Sequence, residues 1–153
     1  MFTLLACLRA LQAGSQLANR LKDPKAAEFY TSQADRIVNI LPAFWDEKDY
    51  WRASAHIDED WSQSYGSERS GLDCAFPLSV VHAGSPDFLA ALDSETLATL
   101  RAYIGSFEGM YSINKRTTNL GKGQTRPWRD GWAVGRYPED IYNGIGVSRG
   151  NPW

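Results

Sequence analysis

The chain has 153 residues, of which 43% are hydrophobic, and this length is typical of one domain that buries roughly 70% of its unfolded surface. The 16 basic and 18 acidic side chains leave a net charge of -2, which disfavours nucleic acid and anionic membranes as partners. No apolar run approaches the ~20 residues of a membrane span. The two cysteines, Cys7 and Cys74, are predicted to be small buried residues or at most the two halves of one bridge.

The first two predicted helices form an αα-hairpin. Leucines at helical spacing make residues 2–21 one amphipathic helix, and no capping residue precedes it. Asp23 suits the cap of the second helix and Pro24 suits its first position. The apolar face of this second helix continues to Pro42, where the helix is expected to end.

Two further helices are predicted in the middle of the chain. Ser70, followed three residues later by Asp73, resembles a weak capping box and predicts a third helix that runs to Gly84. Asp93 or Ser94 caps the fourth helix. The inward face of this fourth helix is predicted to consist of Leu97, Leu100, Ile104 and Phe107.

The tryptophans lie outside every predicted helix. Three of them fall within residues 43–69, a long excursion that has no helical period and is expected to contain short strands. Tryptophan rings concentrated on loops predict a shared surface at one end of a helical scaffold. The alternative is that individual rings pack into the apolar ends of that scaffold. The six are Trp45, Trp51, Trp61, Trp128, Trp132 and Trp153.

The last third of the chain gives the strongest indication of a ligand. Proline and glycine interrupt every periodic pattern there, while tryptophan rings and fixed charges provide stacking faces, hydrogen-bond donors and acceptors. Polar, ring-shaped ligands such as sugars require this combination, so we predict the rim of a carbohydrate site. Arg136 and Asp140 are predicted to bind sugar hydroxyl groups and not to act as catalysts; the alternative is an ion pair that fixes the loop.

Other sequence features predict no additional site. The acidic run at residues 58–60 lacks the spacing of a calcium loop and is expected to be a solvated turn. His82 is expected to be a hydrogen-bonded core residue, and no metal site is predicted. Basic side chains and tryptophans alternate over residues 115–132 as on a surface for single-stranded nucleic acid, but the acidic overall charge argues against that partner.

Three segments carry a resemblance to a known family. They are Arg-Ser-Gly-Leu-Asp at residues 69–73, Val-Gly-Arg-Tyr-Pro-Glu-Asp at residues 134–140 and Gly-Asn-Pro-Trp at residues 150–153. In this order they resemble the fungal glucoamylases, glycoside hydrolase family 15. The resemblance implies an all-α fold that is part of an (α/α)6 barrel, with about four helices and long functional loops.

The resemblance also implies an activity for the family to which the chain is similar. Such enzymes are inverting exo-hydrolases that release β-glucose from starch, maltooligosaccharides and related α-1,4-glucans without a cofactor. The resemblance gives substrate-binding roles to Arg136, Asp140, Tyr142 and Trp153. It also implies an extracellular location, which is inherited from the family.

One departure from the family pattern changes this expectation. The family's general acid and general base would lie outside residues 1–153, so we expect a single, incomplete catalytic domain that contains no catalytic residue and is inactive by itself. An incomplete ring of helices exposes apolar faces, so the isolated chain is expected to be poorly soluble or molten. A non-catalytic sugar-binding protein and a helical interaction protein are the alternatives.

Overall fold

A computed structural model describes residues 1–55, 69–84, 88–114, 131–141 and 145. Its described part contains four α-helices, as the sequence predicts, and only a minimal sheet. The helices are α1 Phe2–Arg20, α2 Pro24–Ile40, α3 Ala75–Ala83 and α4 Ser94–Gly105, and a 3-10 helix at Leu41–Phe44 leads into strands β1 Trp45–Asp46 and β2 Tyr50–Trp51.

The αα-hairpin is confirmed, and its local causes are visible. Asp23 accepts a hydrogen bond from the backbone N–H of Ala26 over 3.0 Å, and Pro24 occupies the first position of α2. At the start of α1, Met1 occupies the N-cap position and makes no side-chain capping hydrogen bond. The hydroxyl groups of Ser15 and Thr31 lie 2.9 Å apart and tie the two helices together.

The third helix begins later than the capping box predicts. Gly71 has a φ of +82°, a left-handed conformation that turns the backbone away from a helix. Ser70 therefore accepts a hydrogen bond from Leu72 N over 3.2 Å instead of capping a helix. Asp73 accepts from Ala75 N over 2.8 Å, so the acidic partner of the predicted box supports the first turn of α3.

The fourth helix begins as predicted, and its predicted inward face is confirmed at Phe107, which is buried, and at Leu100 and Ile104, which are half-buried and pack against apolar clusters. Asp93 accepts a hydrogen bond from Thr96 N over 2.6 Å and caps the helix. Leu97, predicted to face inward, is exposed, and the buried stripe contains Thr96, Thr99 and Tyr103. Thr99 tolerates burial because its hydroxyl donates to Glu95 O over 2.8 Å and accepts from Trp51 N over 2.9 Å.

Two of the described tryptophans pack against each other in the small sheet. Trp45 pairs with Trp51 across the antiparallel strands, and their ring centroids lie 5.0 Å apart. Trp51 is buried and also contacts Phe88, with ring centroids 5.5 Å apart. The predicted surface role is therefore wrong for Trp51, because this ring fills the core. Trp61, Trp128 and Trp153 lie outside the described residues.

Two smaller expectations about single side chains are also wrong. Cys7 is exposed because the buried face of α1 centres on Leu5 and Leu8, and neither Cys7 nor Cys74 forms a disulfide. His82, predicted to lie in the core, is exposed in the last turn of α3. Its ring meets the edge of Phe2 at a centroid distance of 6.2 Å.

Large apolar side chains remain exposed across the described part of the molecule. Three of the most exposed are Leu21 at 70%, Val81 at 77% and Leu92 at 85%. None of the described helices is long and apolar enough to span a membrane. The remaining exposed large hydrophobic residues are Leu17, Phe29, Val38, Ile40, Leu78, Leu97, Ile113, Ile141 and Ile145.

We expect these exposed side chains to make the isolated chain self-associate. The polar-surface variant, defined as Leu21→Gln, Val81→Gln and Leu92→Gln together, removes three of them without touching a buried residue. Sedimentation should show oligomers for the original chain and a larger monomer fraction for the variant. A monomeric original chain with native near-UV dichroism and no binding of a hydrophobic dye would contradict both this expectation and that of a molten state.

Candidate carbohydrate-binding site

Residues 131–141 form a loop, here called the rim loop, that carries two of the predicted ligands. It packs on a second apolar cluster, separate from the core beneath α1 and α2, that contains Tyr50, Leu72, Tyr103 and Phe107. The Tyr103 hydroxyl donates to Gly135 O over 2.5 Å, and burial raises the pKa of this hydroxyl, which favours its protonated, donating form.

The side chain of Asn114 fixes the start of the rim loop. Its Nδ2 donates to Phe107 O and to Ala133 O, each over 2.9 Å, and its Oδ1 accepts from Ala133 N over 2.9 Å. Asn114 is buried, so these three bonds satisfy both polar atoms of its amide. The amide thereby joins the rim loop to the end of α4.

Arg136 and Asp140 form a bidentate ion pair within the rim loop. Arg136 Nε donates to Asp140 Oδ2 over 3.1 Å, and Arg136 Nη2 donates to Asp140 Oδ1 over 3.0 Å. The hydrogen bond to Asp140 raises the pKa of Arg136, so the guanidinium is charged throughout the ordinary pH range. The Asp140 side chain is 9% exposed and the Arg136 side chain is 39% exposed, so the arginine is the accessible half of the pair.

Tyr137 supports the guanidinium of Arg136. The Cζ atom of Arg136 lies 4.8 Å from the centre of the Tyr137 ring, and Nη2 donates to the Tyr137 hydroxyl over 3.3 Å. The Cζ atom of Arg69 lies over the same ring at 4.2 Å. Within the described residues, Arg136 Nη1 makes no hydrogen bond.

Glu139 is engaged with the protein. Its Oε1 accepts a hydrogen bond from Ser70 N over 2.8 Å, and its Oε2 is buried without a hydrogen-bond partner among the described residues. The neighbouring Tyr50 hydroxyl donates to Ser70 O over 2.9 Å. Burial raises the pKa of Tyr50, and the charges of Asp46 and Glu139 raise it further, which keeps this hydroxyl a donor.

Cys74 contributes its backbone and a half-buried thiol to the same region. Its N–H donates to Arg136 O over 2.7 Å. Burial raises the pKa of the thiol to about 11, and the charge of Asp73 acts in the same direction. The thiol is therefore protonated and unreactive near neutral pH.

This pKa predicts unequal labelling of the two free cysteines. At pH 8 roughly one Cys74 thiol in a thousand is ionised, so we expect Cys74 to react with iodoacetamide about a hundredfold more slowly than the exposed Cys7. Mass spectrometry of the polar-surface variant over time measures both rates. Cys7→Ser should leave only the slow reaction, and fast labelling of Cys74 in that control would disprove the prediction.

Trp132 lies in a groove between α3 and α4. The groove is open and apolar, with a volume of about 440 Å³. The described tryptophans thus separate into the Trp45–Trp51 pair and Trp132, which line different places. The groove is lined by Cys74, Pro77, Leu78, Leu100, Tyr103, Ile104, Gly131, Trp132 and Val134.

The structure brings together only part of the predicted site. Arg136 and Asp140 meet directly, whereas Tyr142 and Trp153 lie outside the described residues, as do residues 58–60 and the basic side chains of residues 115–129. The described part also contains no group of three metal-ligating side chains close enough to hold an ion. Sequence reasoning missed the anchoring side chains Tyr103 and Asn114, because their contacts have no local sequence signal.

The sequence as a whole matches a model of the family described as Glycosyl hydrolases family 15, and the match covers residues 1–153. The chain belongs to glycosyl hydrolase family 15. This membership agrees with the resemblance carried by the segments at residues 69–73, 134–140 and 150–153.

Known relatives of this family 15 chain are glucoamylases. The chain is 36% identical to Glucoamylase 1 of Rhizopus oryzae and 31% identical to the Glucoamylase of Blastobotrys adeninivorans, and each match covers 99% of the chain and 23% of the relative. The chain therefore spans about a quarter of the length of these curated relatives.

A solved structure confirms the predicted fold class for this family 15 chain. The glucoamylase from Saccharomycopsis fibuligera, solved at atomic resolution, matches with a TM-score of 0.72 and 25% sequence identity. The match covers 99% of this chain and 30% of the solved one. The described fold is all-α and corresponds to a part of the (α/α)6 barrel of that enzyme.

Proposed function

We propose that this chain forms part of an α-glucan-binding site of a glucoamylase-type glycoside hydrolase, with Arg136 as its principal hydrogen-bond donor. The observation that supports this role is the state of the Arg136 guanidinium. Two of its nitrogens are held by Asp140 and Tyr137, while Nη1 makes no hydrogen bond within the described residues. A charged donor that is already oriented binds a sugar hydroxyl with little loss of side-chain entropy.

In this proposal Arg136 and Asp140 have different tasks. The buried carboxylate of Asp140 holds the guanidinium, and Arg136 presents Nη1 to hydroxyl groups of starch, maltooligosaccharides or other α-glucans. Both carboxylate oxygens of Asp140 accept hydrogen bonds from Arg136, so Asp140 contacts the substrate only if one of these oxygens also accepts a bond from a sugar hydroxyl. Tyr142 and Trp153 are proposed to complete the site, the tryptophan by stacking on a sugar ring.

The chain is proposed to bind glucans without hydrolysing them. Glycoside hydrolysis needs two carboxyl groups about 5 to 9.5 Å apart, one that protonates the leaving oxygen and one that attacks or activates water. In the rim loop, Asp140 is occupied by Arg136 and Glu139 by Ser70 N, so neither is a free acid or base. We therefore propose a single, incomplete catalytic domain that is inactive by itself and needs no cofactor.

Titration of the polar-surface variant with maltose tests the binding function. We expect a saturable change in tryptophan fluorescence and no release of glucose. Absence of any response in protein with native near-UV dichroism would exclude sugar binding and favour the helical interaction protein. Glucose release above the background of a mock preparation would contradict the proposed inactivity.

The activity proposed for the whole protein is inverting exo-hydrolysis, by a secreted enzyme, that releases β-glucose. A chimera in which these 153 residues replace the segment of Rhizopus oryzae Glucoamylase 1 with which they align tests this contribution. We expect the folded chimera to release β-glucose from maltose, as detected by proton NMR before mutarotation. A folded chimera that releases no glucose, or releases α-glucose, would overturn this part of the proposal.

A further inference from the structure

We infer that Glu139 is a positioning residue that orients Arg136 for sugar binding by fastening the rim loop to residues 69–74. This inference rests on the proposed function, because it assigns Arg136 the direct contact with the sugar. Glu139 itself is assigned no contact with the ligand. It acts through the loop that carries Arg136.

Residues 69–74, here called the back wall, contact the rim loop at three points. Ser70 N donates to Glu139 Oε1 over 2.8 Å, and Cys74 N donates to Arg136 O over 2.7 Å. The Arg69 guanidinium lies over the Tyr137 ring at 4.2 Å. These contacts hold both ends and the middle of the segment from Arg136 to Glu139, so the pair formed with Asp140 is built on a fixed backbone.

A left-handed turn at Gly71 lies beside the Ser70 N–H that donates to Glu139. Gly71 adopts a φ of +82°, and a side chain there would place its Cβ atom 2.7 Å from Cγ of Arg52. Glycine thus permits both the turn and the close packing of Arg52 against it. Since Arg52 also pairs with Asp46 at 3.4 Å, the turn rests against a side chain that is itself held.

The burial of one carboxylate oxygen of Glu139 distinguishes positioning from ligand binding. Oε2 has less than 1 Å² of accessible surface and no hydrogen-bond partner within the described ranges, so it is not offered to solvent. The cost of burying this oxygen is offset in part by the charge-assisted bond that Oε1 accepts. The bond to Oε1 ties the loop to the back wall, whereas the Arg136 side chain is 39% exposed and its Nη1 makes no hydrogen bond within the described residues.

Loss of the Glu139 bond should release the rim loop and weaken sugar binding without removing any ligand-contacting group. We expect Glu139→Ala to lower the affinity for maltose about tenfold, the effect of one charge-assisted hydrogen bond. The maltose affinity of Glu139→Gln should stay within about twofold of that of its parent, the polar-surface variant, because the amide oxygen of the glutamine still accepts a hydrogen bond from Ser70 N. Glu139→Asp keeps the charge but shortens the reach, so it should behave like the alanine variant.

The experiment measures two properties of the polar-surface variant and of these three substitutions made in it. Nitrogen-15 relaxation of the Arg136 Nε–H reports the order of the guanidinium without sugar, and maltose titration reports affinity. Alanine and aspartate variants should show a mobile Nε–H, and the glutamine variant an ordered one. Glu28→Ala is the matched control: it removes an exposed carboxylate from α2 and should leave both readouts unchanged.

The two readouts separate failure of the inference from failure of the proposed function. An ordered Nε–H and unchanged affinity in Glu139→Ala and Glu139→Asp would overturn the positioning role. Weak binding by Glu139→Gln with an ordered Nε–H would instead make Glu139 a direct ligand and also overturn it. If the parent does not bind maltose while Nε–H order still depends on Glu139, the proposed function fails and the structural link stands.

Discussion

Replacing Arg136 by alanine in the polar-surface variant is expected to abolish the fluorescence response to maltose and to acarbose. The substitution removes the open Nη1 donor and leaves Asp140, whose side chain is 9% exposed, without its bidentate partner. Both effects act against binding, since the ligand loses a charge-assisted hydrogen bond and the rim loop loses the pair that orders it. We expect affinity to fall by more than about a hundredfold, measured by titration.

Two companion variants make this result specific. Arg101→Ala removes an exposed arginine from α4 and should leave the maltose response unchanged. Arg136→Lys keeps the charge near Asp140 but cannot form the bidentate pair, so its affinity should fall between those of the parent and the alanine variant. Parent-like binding by Arg136→Ala, or an equal loss in Arg101→Ala, would refute the role of Arg136.

Replacing Asn114 by alanine is expected to detach the rim loop from α4. The change removes three hydrogen bonds and leaves the N–H and C=O of the half-buried Ala133 without the partners that the amide supplied, whereas Phe107 O still accepts from Met110 N over 3.1 Å. At about 1 kcal/mol for each lost bond, the local cost is about 3 kcal/mol, or roughly a hundredfold in the opening equilibrium. The backbone amides of residues 131–136 should therefore exchange hydrogen about a hundredfold faster, with unchanged protection in α1 and α2.

The same variant should also lose most of its maltose affinity, because Arg136 lies on the released loop. Ser106→Ala is the control, since its hydroxyl donates to Tyr103 O over 2.6 Å at the end of α4 and not to a group of the rim loop. It should leave exchange in residues 131–136 unchanged. Equal exchange rates in Asn114→Ala and the parent would show that this amide does not anchor the loop.

Local chemistry made the helix starts predictable. Asp23 and Asp93 bond to N–H groups three residues later, a pattern that the sequence displays directly. The predicted start at Ser70 failed because the left-handed backbone of Gly71 ended the helix pattern there, and glycine is compatible with several conformations. The inward face of α4 was predicted wrongly only at Leu97, and the burial of Thr99 was missed because its hydroxyl bonds to its own helix and to Trp51 N, which apolar periodicity does not detect.

The site divides in the same way between local and distant contacts. Arg136 and Asp140 lie four residues apart within one motif, so the sequence indicated both residues. It left open whether they bind a sugar or form an ion pair that fixes the loop. The structure contains the ion pair, which is compatible with sugar binding through Arg136 Nη1. The supports of the loop join residues 19, 32 and 69 positions apart, as for Asn114, Tyr103 and Glu139, and one sequence alone carries no signal for such pairs.

A structure of the polar-surface variant, or of the Rhizopus oryzae chimera, with bound maltose or acarbose tests the central claim most directly. We predict a sugar hydroxyl oxygen about 3 Å from Arg136 Nη1, with the bidentate pair to Asp140 intact. A sugar bound elsewhere on the chain, or one bound beside the rim loop with Nη1 turned away from every hydroxyl, would contradict it.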